Sequence, residues 1–300
     1  ARARRRHVAL AERLAGVSRR EIGLALALLA VFAPALAALA RTWSAVEHQS
    51  HGFLVPIVAV MAALHLARGG PPARPVGRGA LLLVPALALY AFGIGAGSVS
   101  AQGLALCAAI AGAVWFQRGG AWLRRLAFPL AYLLFLVPLP APWVAALVVP
   151  LLEFVTAGSV AVLRTVGVEV AREGNVIVLP GGESLFVAEA CSGLTSLVTL
   201  VPIAVLIAWL APISSARRMA LVALVVPVAM TANLLRVVAT VLGTEAFGSR
   251  AVTEEPVHSI LGLSVYVLGC LALLAVARGL APARPASRAP APRPRPASGP

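Results

Sequence analysis

Lysine and aspartate are absent from this chain, and only 12% of its 300 residues are charged. An ordinary globular protein carries roughly 25% charge, so a soluble fold of this length would lack the polar side chains to cover itself. Cysteine occurs only three times, which excludes a disulfide scaffold. With 60% hydrophobic residues, intrinsic disorder is excluded as well. What the sequence has in quantity is long apolar runs, and these define a polytopic membrane protein.

All 25 basic residues are arginine and all 11 acidic residues are glutamate, for a net charge of +14. A basic balance of this size fits nucleic-acid binding in a soluble protein. In a membrane chain it more commonly reflects arginines that set topology and meet anionic lipid. Their positions decide. Apolar runs at 22–40, 52–67, 79–97, 99–116, 126–140, 193–211, 219–241 and 258–277 read as eight spans. Ala38-Leu39-Ala40 resembles a signal-peptidase site, but its apolar run exceeds an ordinary signal h-region, so an uncleaved first helix is expected.

A ninth run, 143–163, is long enough to cross yet carries Pro150, Glu153 and Gly158. If it stays in the interface or re-enters, twenty of the 25 arginines fall on the cytoplasmic side and both termini are cytoplasmic. If it crosses, Arg217-Arg218 and the C-terminal tail face outward, against the positive-inside rule. Eight spans and an interfacial or re-entrant 143–163 are therefore expected. The organisation is a basic cytoplasmic arm at 1–20, a transmembrane domain at 21–280 and a disordered Pro/Arg-rich cytoplasmic tail at 281–300. An extracytoplasmic loop at about 164–190 has β-branched alternation around Gly174-Asn175 and a turn at Pro180-Gly181-Gly182, which predicts a hairpin or a pair of short strands. No repeat of fixed period is evident.

Polar groups inside hydrocarbon are costly and mark functional candidates. Arg236 falls in the seventh span, roughly 7–8 Å below its outer boundary. Asn233 and Thr240 share its helical face. Snorkelling to the headgroups is the bland alternative; the pairing with Asn233 favours an inward-facing site. Cys191 stands where the outer loop enters the sixth span, at a helix N-terminus that lowers a thiol's pKa. Ser192 and Gly193 leave the backbone there open, whereas Cys107 and Cys270 lie mid-span and read as small hydrophobes. His258 opens the last span on the same side, with Glu254 one turn earlier, and an interfacial role is its alternative. His48 and His51 flank an outer loop, where a solvated or headgroup role is the default.

A thiol, a guanidinium and an imidazole on three consecutive spans near one leaflet suit acyl transfer. The histidine moves the protons, and the arginine stabilises thiolate or oxyanion. One cysteine and one histidine do not make a four-ligand zinc set.

These residues resemble the exosortase/archaeosortase family of integral-membrane cysteine transpeptidases. The resemblance rests on Ala190-Cys191-Ser192-Gly193-Leu194, on Ala232-Asn233-Leu234-Leu235-Arg236, and on His258 with Gly262. Ser50-His51-Gly52-Phe53-Leu54-Val55-Pro56 looks like a fourth signature. Thr195 stands where many members have arginine and Tyr266 where phenylalanine is common; the first leaves the subfamily open. The resemblance implies a catalytic Cys191, Arg236 and His258, supported by Asn233, Ser192 and Gly193, with no metal or organic cofactor. It also implies substrates with one span and a C-terminal sorting signal (Pro-Glu-Pro in the bacterial type), cleaved at the outer face of the cytoplasmic membrane. The expected partners are those substrates and lipid, not nucleic acid. A transporter and a non-catalytic envelope-assembly scaffold are the competing classes.

Overall fold

The computed structural model describes residues 18–187, 192–248 and 257–281, and for Glu47, His258 and Ser259 the backbone alone. Helix α1 (Arg19–Ala45) opens on a capping box. The Ser18 hydroxyl accepts the Glu21 N–H at 3.2 Å and the Glu21 carboxylate accepts the Ser18 N–H at 2.7 Å. A 3₁₀ segment (Glu47–Phe53) turns the chain into α2 (Leu54–Ala67), followed by α3 (Ala80–Gly95) and α4 (Val99–Arg118). The expected span at 126–140 is α6 (Ala127–Tyr132) continued by a 3₁₀ turn (Leu133–Leu136), and it is broken from a short α5 (Gly120–Arg125) ahead of it. Pro129 supplies the reason, since its ring collides with the carbonyl four residues back and it has no N–H to give.

The next helix, α7, is continuous over Ala141–Thr165. A three-stranded antiparallel meander follows, β1 (Ala171–Glu173), β2 (Val176–Val178) and β3 (Ser184–Phe186). The chain then enters α8 (Leu194–Leu210), α9 (Ser215–Ala223), α10 (Val225–Phe247) and α11 (Val257–Leu280).

Polar contacts fix which helix ends lie together. At one end Arg118 pairs with Glu21 at 2.6 Å, the Trp122 indole donates to Pro71 and Arg125 donates to Leu66 and Arg68. This is the arginine-rich end. At the opposite end the Trp43 indole donates to the Leu136 carbonyl at 3.0 Å and the Ser100 hydroxyl to Pro138 at 2.8 Å. Helix α6 runs antiparallel to α8, because Phe128 stacks on Trp209 at 4.2 Å while the Tyr132 hydroxyl donates to Pro202. Gly193 is thereby carried to the end opposite the arginines. Arg217 donates to the Leu280 carbonyl, which joins the start of α9 to the end of α11. Eight traverses result among the described residues, as the arginine distribution requires.

Helix α7 is one of seven described helices long and apolar enough to cross a membrane, whereas α8 and the α6 segment are shorter. Yet the first turns of α7 line a cavity with Thr42, Val46, His48 and Gln49, at the end opposite the arginines. After the sheet, the six residues from Val187 to Gly193 reach at most about 21 Å, so the chain arrives at Gly193 without recrossing. Both ends of α7 therefore belong to one end of the bundle. All of its buried residues follow Pro150: Leu152, Val155, Thr156, Ser159, Val160 and Leu163.

The meander confirms both predicted turns and adds a third strand to the expected pair. Glu173 pairs with Val176 across Gly174-Asn175, with Gly174 at φ +61°, and Leu179 donates to and accepts around Pro180–Glu183. Ile177 of the central strand is fully buried in a core shared with Leu163 of α7 and Val241 of α10.

Two further features position the bundle. Between α3 and α4 the backbones approach at three levels. A β-carbon on Gly79 would lie 2.3 Å from the Phe116 nitrogen, one on Gly112 would lie 3.0 Å from the Leu83 nitrogen, and one on Gly93 would lie 3.0 Å from the Gln102 nitrogen. Helix α10 runs past the expected end at residue 241 to Phe247. Arg236 thus sits about 16 Å from the end of its helix, deeper than the sequence suggested.

Candidate functional site

Three helices meet where α8 begins. Gly193 caps α8 in the left-handed conformation, at φ +89° and ψ −6°, and its α-carbon faces α10. A β-carbon there would sit 3.1 Å from the Met230 sulfur and 3.6 Å from Asn233 Nδ2. Glycine meets both demands, since an L side chain is strained at this φ and would have to push the Met230 side chain aside by a few tenths of an ångström. Next to it Ser192 is fully buried, and its hydroxyl accepts the Leu194 N–H at 3.2 Å, partnering one of the free donors of the helix start. Thr195 and Ser196 in the first turn are buried too. The adjoining Cys191 lies outside the described residues, as do Glu254 and Arg250.

Asn233 is fully buried on the face of α10 turned to Gly193. One turn further along, Arg236 is half-buried, and its guanidinium lies against α11: a β-carbon on Gly262 would be 3.5 Å from Nη2 and 3.7 Å from Cζ. The expected common face of Asn233, Arg236 and Thr240 has a local consequence. The Thr240 hydroxyl donates to the Arg236 carbonyl at 2.9 Å, tying it to the helix backbone. His258 is in the first turn of α11, four residues before Gly262 and so on the same helical face.

The described positions thus follow one another across three helices. Gly193 packs beside Asn233, which shares a face with Arg236; the Arg236 guanidinium packs beside Gly262, which shares a face with His258. Two sources of positive potential converge here, the guanidinium and the N–H groups at the start of α8. Such a place favours an anion, or charge that develops on oxygen during a reaction. Among the described residues no group of three or more His, Cys or Glu side chains could hold a metal.

Sequence reasoning misjudged His51. It is buried, with Nε2 facing the Phe135 carbonyl at 3.1 Å, and the 3₁₀ segment that carries it packs against α8. Gly52 makes this possible: its bare α-carbon fits under the Trp43 indole, where a β-carbon would be 2.4 Å from Nε1. No periodicity marks a seven-residue 3₁₀ segment as interior. The signal available was Gly52 itself, a backbone position open to close approach inside the Ser50–Pro56 signature.

No curated protein and no solved structure matches the chain. A family model described as transmembrane exosortase matches residues 43–275, an interval that takes in the 3₁₀ segment, the start of α8, the Asn233–Arg236 face and the first turns of α11. With that match over most of its length, and seven helices among the described residues long and apolar enough to cross a membrane, the chain belongs to the transmembrane exosortase family, a family of multi-pass membrane proteins.

Proposed function

We propose that this protein is a membrane-embedded cysteine protease or transpeptidase that cleaves the C-terminal sorting signal of exported single-span proteins. The observation that supports the reading is the packing of Gly193 beside Asn233 and of Arg236 beside Gly262, because it draws together the start of α8, the Arg236 face of α10 and the first turns of α11. In this account the Cys191 thiolate attacks the scissile carbonyl, Arg236 steadies the oxyanion, and His258 returns a proton to the departing amine. Ser192 and Gly193 shape the turn that presents the thiol, and Asn233 holds that turn against α10. The arginine-rich end is cytoplasmic by the positive-inside rule, so the mouth of the site opens on the outer face of the cytoplasmic membrane. A substrate span then enters beside the bundle with its basic cluster inside and its motif at the mouth.

Two substitutions test the assigned roles. Arg236→Lys keeps the charge but loses the planar fork, so processing of a tagged substrate should fall by roughly tenfold or more. Wild-type turnover in Arg236→Lys would mean that charge alone suffices. His258→Ala should reduce cleavage by about 10²-fold while the protein still inserts at normal levels, measured by immunoblot of membranes. Unchanged cleavage would remove the imidazole from the reaction.

A further inference from the structure

A second polar feature lies outside this site. A cavity of about 460 Å³ opens at the end opposite the arginines, between the 3₁₀ segment and the first half of α7. Its walls are mostly apolar, with Pro138, Leu139, Val144 and Val148 among them. Gln49 lines it while being only 3% exposed, and its carboxamide forms no hydrogen bond with any described residue. Lining the cavity, the carboxamide offers its donor and its acceptor to whatever fills it. His48 and Thr42 are the other polar side chains of the lining, and neither arginine nor glutamate is among its residues.

The roof is loosely held. None of the α7 residues before Pro150 is buried, and Trp143 is 65% exposed. Pro150 removes a backbone hydrogen bond at the point where the packed half of the helix begins. The first half of α7 therefore covers a cavity and leaves α10 and the sheet to its second half.

We propose that this cavity is a peptide subsite, in which an extended segment of the substrate pairs one of its peptide units with the Gln49 carboxamide. A carboxamide presents one donor and one acceptor side by side, the complement of a backbone N–H and C=O. The apolar walls suit proline or a small aliphatic side chain. The 3₁₀ segment bearing Gln49 packs on α8, so a segment held here is connected through one element to the mouth. This inference rests on the cysteine-protease reading above and assigns that site its recognition residue.

The test uses the full chain in membranes and a single-span probe protein ending in Pro-Glu-Pro, an apolar span and an arginine cluster. Gln49→Leu should raise KM for the probe about tenfold with little change in kcat, and its thermal midpoint should stay level, since the carboxamide lines the cavity and ties no described residue in place. An unchanged KM overturns the proposal, and so does a midpoint that falls in step with activity, which would mark Gln49 as structural. Independently, a photoreactive phenylalanine analogue at Val144 in the Cys191→Ser background should cross-link to the probe near its motif. A lipid adduct alone would show that the cavity holds an acyl chain and would also overturn it. If the wild-type chain leaves the probe uncut, the cysteine reading fails first, whereas cutting without either Gln49 effect condemns the subsite alone.

Discussion

Cys191→Ser should abolish processing of a sorting-signal substrate, with a loss of roughly 10³-fold or more while expression and insertion stay normal. The physical reason lies in what a helix start and a guanidinium do for sulfur and not for oxygen. A thiol ionises near neutral pH, so nearby positive potential converts a useful fraction to thiolate. A hydroxyl is far too weak an acid to respond. The serine variant therefore keeps the shape of the turn and loses the nucleophile. A membrane-impermeant thiol reagent added from outside should label the wild type at Cys191. Cys107, buried within α4 with its thiol against the Leu133 carbonyl, should remain unlabelled. Processing that survives in Cys191→Ser would end the proposed mechanism.

The second large effect concerns a residue with no functional group. Gly193→Ala should lower processing by about 10²-fold, the cost of misplacing reacting groups by about 1 Å. Two independent penalties act on the same atom. The new methyl group must adopt φ +89°, a conformation that costs an L residue about 1–2 kcal/mol. It also meets the Met230 sulfur at 3.1 Å, closer than an ordinary contact, with Asn233 beside it at 3.6 Å. Either relief, a rotated peptide or a displaced α10, moves the turn next to Cys191. Replacing Met230 with alanine in the same chain should recover part of the loss by removing the contact, but the backbone strain remains. Full activity in Gly193→Ala would show that the left-handed cap plays no part in presenting the thiol. Cleavage of the tagged substrate measures both.

Much of this architecture is legible in the residues, and the exceptions have physical causes. Eight traverses could be read because arginine is costly in hydrocarbon and accumulates on one side of the chain's crossings. The same argument kept 143–163 from being counted, although its length invites it. The two turns of the sheet could be read from Gly174-Asn175 and Pro180-Gly181-Gly182 because their backbone needs are local. Ser184–Phe186, the third strand, could not, since its pairing with β2 is a long-range choice that three residues do not advertise. In the site, Asn233 and Arg236 share a face by helical period alone. That Gly262 would be the surface on which the guanidinium rests is a fact of packing between helices, invisible to any pattern along one of them. His51 was placed outward for a related reason: a 3₁₀ segment at a span boundary carries no amphipathic signature.

The three close backbone approaches between α3 and α4 have a consequence for how the bundle breathes. Helices clasped through glycine at the Phe116, Leu83 and Gln102 levels move as one slab, because parting them at any level strips van der Waals contact from the other two. A bundle that admits a foreign span from the bilayer must open a seam somewhere, and this slab is the part that stays shut.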